Sequence, residues 1–183
     1  MFFFYLKSFY DIINLVILLN SLNVLERMDD MQKYAFYTCQ LGLLKIGYSD
    51  EGIFLIQTVK EIDTDNQSSD LSDLAFTQLQ EFFQGKRQTF DLPLQIQGTP
   101  FQEKVWRALC HIPYGETQSY GQIAAAIGNP KASRAVGLAN NKNPLQFVVP
   151  CHRVVGANGS LVGYAGGLDM KKHLLEMEAE AKK

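Results

Sequence analysis

The sequence is poor in the residues that build disulfide or zinc frameworks, with three cysteines and three histidines among 183 residues. Cys39, Cys110 and Cys151 are too few and too widely spaced for a disulfide framework, and no CxxC or Cys/His cluster predicts a metal site. Sparse, unpaired cysteines are typical of proteins from a reducing compartment, so we expect a cytoplasmic location.

The chain also lacks an apolar run long enough to cross a bilayer. Residues 1–25 are rich in Phe, Leu and Ile. They are interrupted by Lys7, Asp11, Asn14 and Asn20 before the ~20 apolar residues of a spanning helix are reached. No small-residue cleavage site follows. We interpret residues 1–28 as a leader outside the functional fold. A membrane or export signal and an extra packed helix are the alternatives.

Acidic residues are missing from one long stretch. Residues 119–168 contain no Asp or Glu, although the formal net charge of the whole chain is −2. Residues 1–98 hold 7 Lys/Arg and 13 Asp/Glu, whereas residues 99–183 hold 10 and 6. This segregation is either a fluctuation of surface charge or a face that accepts a polyanion without like-charge repulsion. The basic residues of the acid-free stretch are Lys131, Arg134, Lys142 and Arg153.

The first half of the chain reads as a small α+β unit, residues 29–92, without visible chemistry. β-branched and aromatic residues predict three strands, at 34–42, 43–48 and 52–59, with a turn at 49–52. An apolar stripe at helical spacing then predicts a helix that ends at Gly85. The stripe consists of Leu71, Leu74, Leu79, Phe82 and Phe83.

The second half, residues 93–183, opens with a strong helix signal. Thr99, Pro100 and Gln102 have the spacing of a capping box with proline at the first helical position. A short helix is predicted from Tyr120 to Ile127, and Asn129-Pro130 predicts the start of another that runs through Ala139. Two short helices joined by a glycine-containing turn are typical of a helix-turn-helix, which makes DNA the leading partner.

Two Cys-His pairs compete for a catalytic role. Cys110 is predicted on the buried side of its helix, where a thiol is usually inert. Leu145–Val149 reads as a buried strand, and Cys151 and His152 follow directly after Pro150. Adjacent residues of a strand point to opposite faces, so a contact between this thiol and imidazole requires a turn.

A histidine that activates a nucleophile also needs an orienting carboxylate. None is available between residues 119 and 168. The candidates therefore lie in the last predicted helix, residues 169–180, where both Glu176 and Glu178 are available.

At these residues the sequence resembles the O6-alkylguanine-DNA alkyltransferase family, also called methylated-DNA–protein-cysteine methyltransferases. The resemblance is dense over residues 99–178 and looser over 31–92. The matching motifs are Pro150-Cys-His-Arg-Val, Phe101-Gln-x-x-Val-Trp, Ile112-Pro-x-Gly-Glu-Thr, Ser119-Tyr-Gly-Gln-Ile-Ala, Gly128-Asn-Pro, Arg134-Ala-Val-Gly, Asn143-Pro and Gly163-Tyr-Ala-Gly-Gly-Leu.

The resemblance implies a role for each matching residue. Cys151 accepts the alkyl group, His152 deprotonates it through a water, and Glu178 orients the imidazole. Asn143 holds the turn that carries the cysteine, and Tyr120 donates to the leaving guanine. Arg134 replaces the flipped nucleotide in the duplex, Lys131 meets phosphate, and the small residues Ala135 and Gly137 allow close approach to the groove. The implied substrate pocket comprises Val154, Tyr164, Ala165 and Asn140.

The resemblance further implies a ribonuclease-H-like antiparallel-sheet domain followed by a winged helix-turn-helix-like alkyltransferase domain. The expected partner is double-stranded DNA carrying O6-alkylguanine, bound through its minor groove by a monomer without metal or cofactor. Membrane association is not expected. Asn140 and Gln146 occupy positions that are apolar in some relatives, and Ala165 stands where some have serine.

Three other functions compete. A non-catalytic lesion binder of this fold carries tryptophan in place of the cysteine, so Cys151 argues against it. A transcription regulator with a zinc module needs several more cysteines, and a cysteine hydrolase does not explain the helix-turn-helix.

Overall fold

A computed structural model describes residues 32–181, and the first part of this range is a three-stranded sheet with one helix. The strands are β1 (Lys33–Cys39), β2 (Gly42–Ser49) and β3 (Gly52–Val59), in the order β1-β2-β3. β2 and β3 pair antiparallel through the predicted turn at Ser49–Gly52. The leader predicted for residues 1–28 lies outside the described residues.

Helix α1 (Asp70–Phe83) covers this sheet. Ser69 and Ser72 cap its first turn reciprocally, and Leu79, Phe82 and Phe83 are buried. Gly85, with φ of 70°, ends it as predicted, since this conformation favours glycine. Leu74, which was predicted in the apolar stripe, is instead exposed.

The second part is mainly helical. The capping box at Thr99 and Gln102 is confirmed, with Pro100 in the first turn of the helix it starts. No helix among residues 32–181 has the length and hydropathy to cross a bilayer. The elements are α2 (Pro100–Leu109), β4 (Gln118–Ser119), α3 (Tyr120–Ala126), α4 (Ser133–Asn141), β5 (Val154–Val155) and α5 (Leu168–Glu180), with β4 and β5 parallel.

The helix pair α3–α4 is present, but the predicted start of its second helix is wrong. α4 begins at Ser133 rather than at Pro130. The amide of Ala132 closes a turn on the carbonyl of Asn129, at 2.9 Å, and Ala132 is itself not helical. Lys131 therefore lies in the turn between the helices and not on α4.

The buried strand predicted at Leu145–Val149 is also wrong. Only Leu145 forms a bridge, and the amide of Val149 turns back to its carbonyl at 2.9 Å. Phe147 has a φ of 70°, which no strand residue adopts. The segment is buried, as its composition predicts, but apolar composition alone cannot distinguish a buried turn from a buried strand.

The outer edge of β3 holds two loops of the chain. Ile53 exchanges backbone hydrogen bonds with Pro93 and Gln95, each at 2.8 Å. Ile56 does the same with Pro144 and Gln146, at 2.7 and 2.9 Å. One hydrophobic core contains residues from both parts of the chain. The sheet thus fixes the position of the loop that precedes Cys151.

Candidate active site

Cys151 is the first residue of a single 3₁₀ turn, Cys151–Arg153, directly after Pro150. This is the turn that a cysteine–histidine contact requires. The cysteine is only 4% exposed. Burial raises the pKa of its thiol, although a hydrogen bond from Asn143 and the nearby charge of Lys171 oppose the rise. A buried thiol of raised pKa is protonated at neutral pH, so it needs a base to become a nucleophile.

Asn143 joins the thiol to the loop that carries it. Its Nδ2 donates to Cys151 Sγ at 3.2 Å and to the carbonyl of Val149 at 2.8 Å. Its Oδ1 accepts from the amide of Leu145 at 3.0 Å. The side chain is buried, so these contacts set both the shape of the loop and the place of the sulfur.

His152 and Glu178 form a buried pair. Nε2 of the imidazole lies 2.8 Å from Oε1 of the carboxylate, and neither side chain is exposed. A carboxylate only accepts, so Nε2 carries the ring proton and Nδ1 of the neutral ring keeps its lone pair. Nδ1 is buried and has no partner among residues 32–181. Burial lowers the pKa of His152, and the opposing effect of Glu178 is smaller. The lowered pKa keeps the ring neutral.

Glu178 receives further hydrogen bonds besides that of the imidazole. Arg153 donates from Nε at 3.0 Å and from Nη2 at 2.9 Å, and the amide of Gly115 donates at 2.9 Å. Burial alone raises the pKa of Glu178, but the hydrogen bonds from His152 and Arg153 outweigh it and bring the pKa to about 2. Arg153 is therefore tied to the active site and is buried.

The sequence left open which glutamate contacts the histidine. Glu178 lies on the buried side of α5, whereas the side chain of Glu176 is 61% exposed and 3.8 Å from Lys172.

The wall of the site is formed by α3 and the loop before α5. Tyr120 Oη donates to the carbonyl of Val162 at 2.9 Å. Burial raises the pKa values of both Tyr120 and Tyr164. Val154 and Tyr164 are buried, and Ala165 is exposed on this loop.

Two family models match the chain. The 6-O-methylguanine DNA methyltransferase ribonuclease-like domain matches residues 32–96, and the DNA binding domain of the same family matches residues 100–180. The chain belongs to the 6-O-methylguanine DNA methyltransferase family.

Curated relatives agree with this assignment. The methylated-DNA–protein-cysteine methyltransferase of Methanosarcina acetivorans is 48% identical over 151 residues, which cover 79% of this chain and 97% of the relative. The constitutive enzyme of Bacillus subtilis is 61% identical over 102 residues, covering 55% and 62%. The crystal structure of Mycobacterium tuberculosis OGT in complex with DNA matches with a TM-score of 0.76 at 41% identity, covering 81% and 94%.

The residues expected to contact DNA lie on one helix and the turn before it. Arg134 and Lys131 are exposed. Ala135 and Gly137 are partly buried, and a Cβ on Gly137 would lie 3.7 Å from the Tyr120 ring. Gly137 thus brings α4, the helix that carries Arg134, against the Tyr120 wall of the site.

Lys171 belongs to the site but was missed from the sequence. It is fully buried, and its Nζ donates to the carbonyls of Val154 at 2.5 Å and Val162 at 2.8 Å. A signal was available, because Lys171 lies seven residues before Glu178 and therefore on the same face of α5. Its ammonium group therefore joins β5 to the loop before α5, which we call the pocket loop.

The prediction that Cys110 is buried is wrong. Cys110 lies at the C-terminal cap of α2, just beyond the last buried residue of that helix, Leu109, and is exposed. Desolvation raises the pKa of its thiol, and the neighbouring His111 imidazole contacts the carbonyl of Arg107 at 2.8 Å. No group of three or more metal-ligating side chains occurs within residues 32–181.

Proposed function

We propose that this protein repairs O6-alkylguanine in DNA by transferring the alkyl group to its own Cys151, as a methylated-DNA–protein-cysteine methyltransferase. The observation that carries the proposal is the buried hydrogen bond between Glu178 and His152, which lies in the same turn as Cys151. It lies in the same domain as the exposed Arg134 of the acid-free helix pair. A non-catalytic lesion binder of this fold has no use for an activated thiol.

The chemistry begins with the base. His152 Nδ1, acting through a bridging water, removes the thiol proton, and Glu178 stabilises the resulting imidazolium. Cys151 Sγ then attacks the alkyl carbon, and the bond from that carbon to O6 breaks with its electron pair moving onto the guanine. Tyr120 Oη gives a proton to the departing base, and solvent exchange with the imidazolium and the phenolate restores both groups.

Recognition of the base is assigned to the pocket residues. Backbone groups of Cys151, Val154 and Ala165 read the guanine edge, and Tyr164 forms one wall. Because the Ala165 contact uses its backbone N–H, the absence of a serine hydroxyl there costs little.

DNA binding follows from the surface around α4. An alkylated O6 is inaccessible within the base stack, so the nucleotide has to be extruded at a cost of a few kcal/mol. Arg134 fills the gap in the duplex and Lys131 meets phosphate, while Ala135 and Gly137 let the helix approach the floor of the minor groove. A monomer suffices for this arrangement.

The product is a thioether, which the protein does not hydrolyse, so each molecule repairs one lesion. The reaction requires no cofactor. It requires a reduced thiol, which suits the cytoplasm. We assign the alkyl-transfer and DNA-binding functions to a domain of residues 93–183 and a supporting role to residues 29–92.

Incubation with an oligonucleotide carrying O6-methylguanine labelled on the methyl group tests the proposal. Peptide mass analysis is expected to find one equivalent of methyl on the peptide of Cys151 and no further turnover. Cys151→Ala is expected to abolish transfer and to leave DNA binding largely intact. Label that stays on the DNA, or multiple turnovers, would overturn the proposal.

A further inference from the structure

Asn140 is a buried amide whose polar atoms have no partner. Its side chain is 4% exposed, and neither Oδ1 nor Nδ2 forms a hydrogen bond within residues 32–181. An unsatisfied buried donor or acceptor costs about 1–3 kcal/mol, so such groups are rare and need an explanation. A ligand that supplies the missing partners is one explanation.

The neighbouring buried amides do not share this property. Asn143 uses both ends of its amide within the cysteine loop. Gln146 accepts from the amide of Thr58 at 3.2 Å. Of these three buried amides, only Asn140 has no partner within residues 32–181.

Asn140 lies, along the chain, between two residues that contact the site. Gly137 packs against the ring of Tyr120, and Asn140, three residues later, lies on the same face of α4. Asn143, another three residues on, touches Cys151 Sγ. These neighbours place Asn140 on the side of α4 that contributes to the site.

Other buried polar atoms of this domain are also without a partner. Besides the amide, the buried side-chain atoms without a partner in residues 32–181 are His152 Nδ1, Tyr164 Oη and Tyr114 Oη. His152 follows the cysteine directly, and Tyr164 lies on the loop before α5. His152 is accounted for by proton transfer, whereas Asn140 has no part in that reaction.

The alkyl carbon lies within about 3–3.5 Å of Sγ at the moment of attack. A substituent on that carbon extends beyond the base edge and meets the side chains that line the site around the sulfur. We infer that the Asn140 amide hydrogen-bonds a polar substituent of the alkyl group, so that lesions such as O6-(2-hydroxyethyl)guanine are preferred substrates over apolar adducts of equal size. This inference rests on the proposed function and names a substrate class for the same site.

The reaction itself is unchanged by the substituent. Sγ forms a bond to the carbon attached to O6, that carbon's bond to O6 breaks, and the products are S-(2-hydroxyethyl)cysteine and guanine. The hydroxyl takes no part in the bond changes. It donates to Asn140 Oδ1 or accepts from Nδ2, and a methyl group in its place does neither.

The test compares single-turnover rates on duplexes carrying O6-(2-hydroxyethyl)guanine or O6-propylguanine, in which a methyl replaces the hydroxyl. Asn140→Leu is nearly isosteric and removes the amide. We expect it to lower the hydroxyethyl-to-propyl rate ratio by about three- to tenfold, the value of one hydrogen bond. Asn140→Ala is expected to lower the ratio as well, which guards against a packing effect of leucine.

Gln146→Leu is the matched control. It also removes a buried amide on this side of the core, but one whose acceptor is used by Thr58. It is expected to lower stability and to leave the rate ratio unchanged.

Three results overturn the inference: an unchanged ratio in both Asn140 variants, an equal loss on O6-methyl, propyl and hydroxyethyl lesions, or a ratio that falls equally in Gln146→Leu. The second result would place the amide against the base instead of the substituent. Methyl transfer by the unmodified protein is measured in parallel. If it occurs while the ratio is unchanged, only this inference fails, and if it does not occur, the proposed function fails.

Discussion

The charge of Glu178 is shared between two side chains that have no other acidic partner in the site. His152 and Arg153 both donate to it, and all three side chains are buried. Removing one member of such a group leaves an uncompensated charge in the core, which is far more costly than losing a surface ion pair. The carboxylate thus serves both the stability of the fold and the orientation of the base.

Glu178→Gln is therefore expected to reduce the free energy of unfolding by about 3–5 kcal/mol, because Arg153 remains buried without a counter-charge. Alkyl transfer is expected to slow as well, because an amide can also donate and no longer fixes the ring tautomer. Urea denaturation and single-turnover kinetics measure the two effects. Glu176→Gln is the control, with a change within about 0.5 kcal/mol at this exposed site. Equal effects of the two variants would contradict the assignment of Glu178.

The same pair makes stability depend on pH. The pKa of Glu178 is about 2 in the folded chain, below its value of roughly 4.3 when unfolded. Its contribution is therefore present above the unfolded pKa and lost as the pH falls towards 2. The folded pKa of His152 is also lowered, so the unfolded chain binds its proton first and stability falls as the pH drops below about 6.5.

We expect the free energy of unfolding to decrease steadily from pH 7 to pH 4, as followed by urea titrations at fixed ionic strength. His152→Asn removes the imidazole and is expected to flatten the slope between pH 7 and pH 5 while leaving the steeper loss below pH 5. A slope between pH 7 and 5 that persists in this variant would show that another group causes it.

The sequence predicted much at the scale of single residues. The choice between Glu176 and Glu178 lay outside the reach of spacing, because the two point about 200° apart on a helix whose buried face was not known. Lys171 was overlooked because a lysine on a helix is normally expected in solvent. In the fold, the carbonyls of Val154 on β5 and Val162 on the loop before α5 bind its ammonium group inside the core.

At the scale of elements, the loop from Asn143 to Pro150 shows what composition cannot decide. Its run of apolar residues correctly predicts burial but not shape. The amide of Val149 returns to the carbonyl of Leu145, and Phe147 adopts a left-handed conformation between them. Its ring packs edge-to-face on Phe83 at 5.0 Å. The gain from burying this ring offsets the cost of the backbone conformation.

This backbone conformation predicts an inverted preference between alanine and glycine. Phe147→Ala and Phe147→Gly both lose the ring and are expected to cost about 3–5 kcal/mol of stability. The glycine variant is expected to be the more stable of the two by about 1 kcal/mol, because only alanine pays for a positive φ. Thermal and urea unfolding of the pair measure the difference. A more stable alanine variant would contradict the left-handed turn.

The predicted start of α4 was wrong for a similar reason. Asn129-Pro130 has the composition of a helix start, and the sequence contains nothing that reveals the competing turn closed by Ala132. The capping box at Thr99, in contrast, was predicted correctly, because its two reciprocal hydrogen bonds depend only on local spacing. A local signal was thus reliable where its own hydrogen bonds close the turn, and unreliable where another local turn competes with it.

At the scale of the whole molecule, charge and chemistry are segregated along the chain. The acid-free stretch from residue 119 to residue 168 contains the helix pair, the cysteine turn and the pocket loop. DNA is a polyanion, so a face without carboxylates meets it without repulsion. The carboxylate that the histidine needs comes from α5, whose Glu178 lies 2.8 Å from the imidazole within the core.

Arg134 is expected to matter for duplex DNA and not for the alkyl transfer itself. Arg134→Ala is expected to slow repair of O6-methylguanine in a duplex by about tenfold or more, as for loss of one charged contact. Its reaction with free O6-benzylguanine is expected to change less than about twofold, within the range of a neutral surface substitution. Arg107→Ala, an exposed arginine of α2 outside the acid-free stretch, is the charge-matched control. A parallel loss on duplex and free base would contradict a role in base extrusion.

Two backbone amides at the edge of β3 report on whether the cysteine loop stays attached to the sheet. The amides of Ile56 and Thr58 are bonded to Pro144 and to the Gln146 side chain, and not to a neighbouring strand. These two protons exchange with solvent deuterium only when the cysteine loop leaves the sheet. Comparing their protection before and after alkylation therefore measures how far the cysteine loop loosens, although both amides belong to β3.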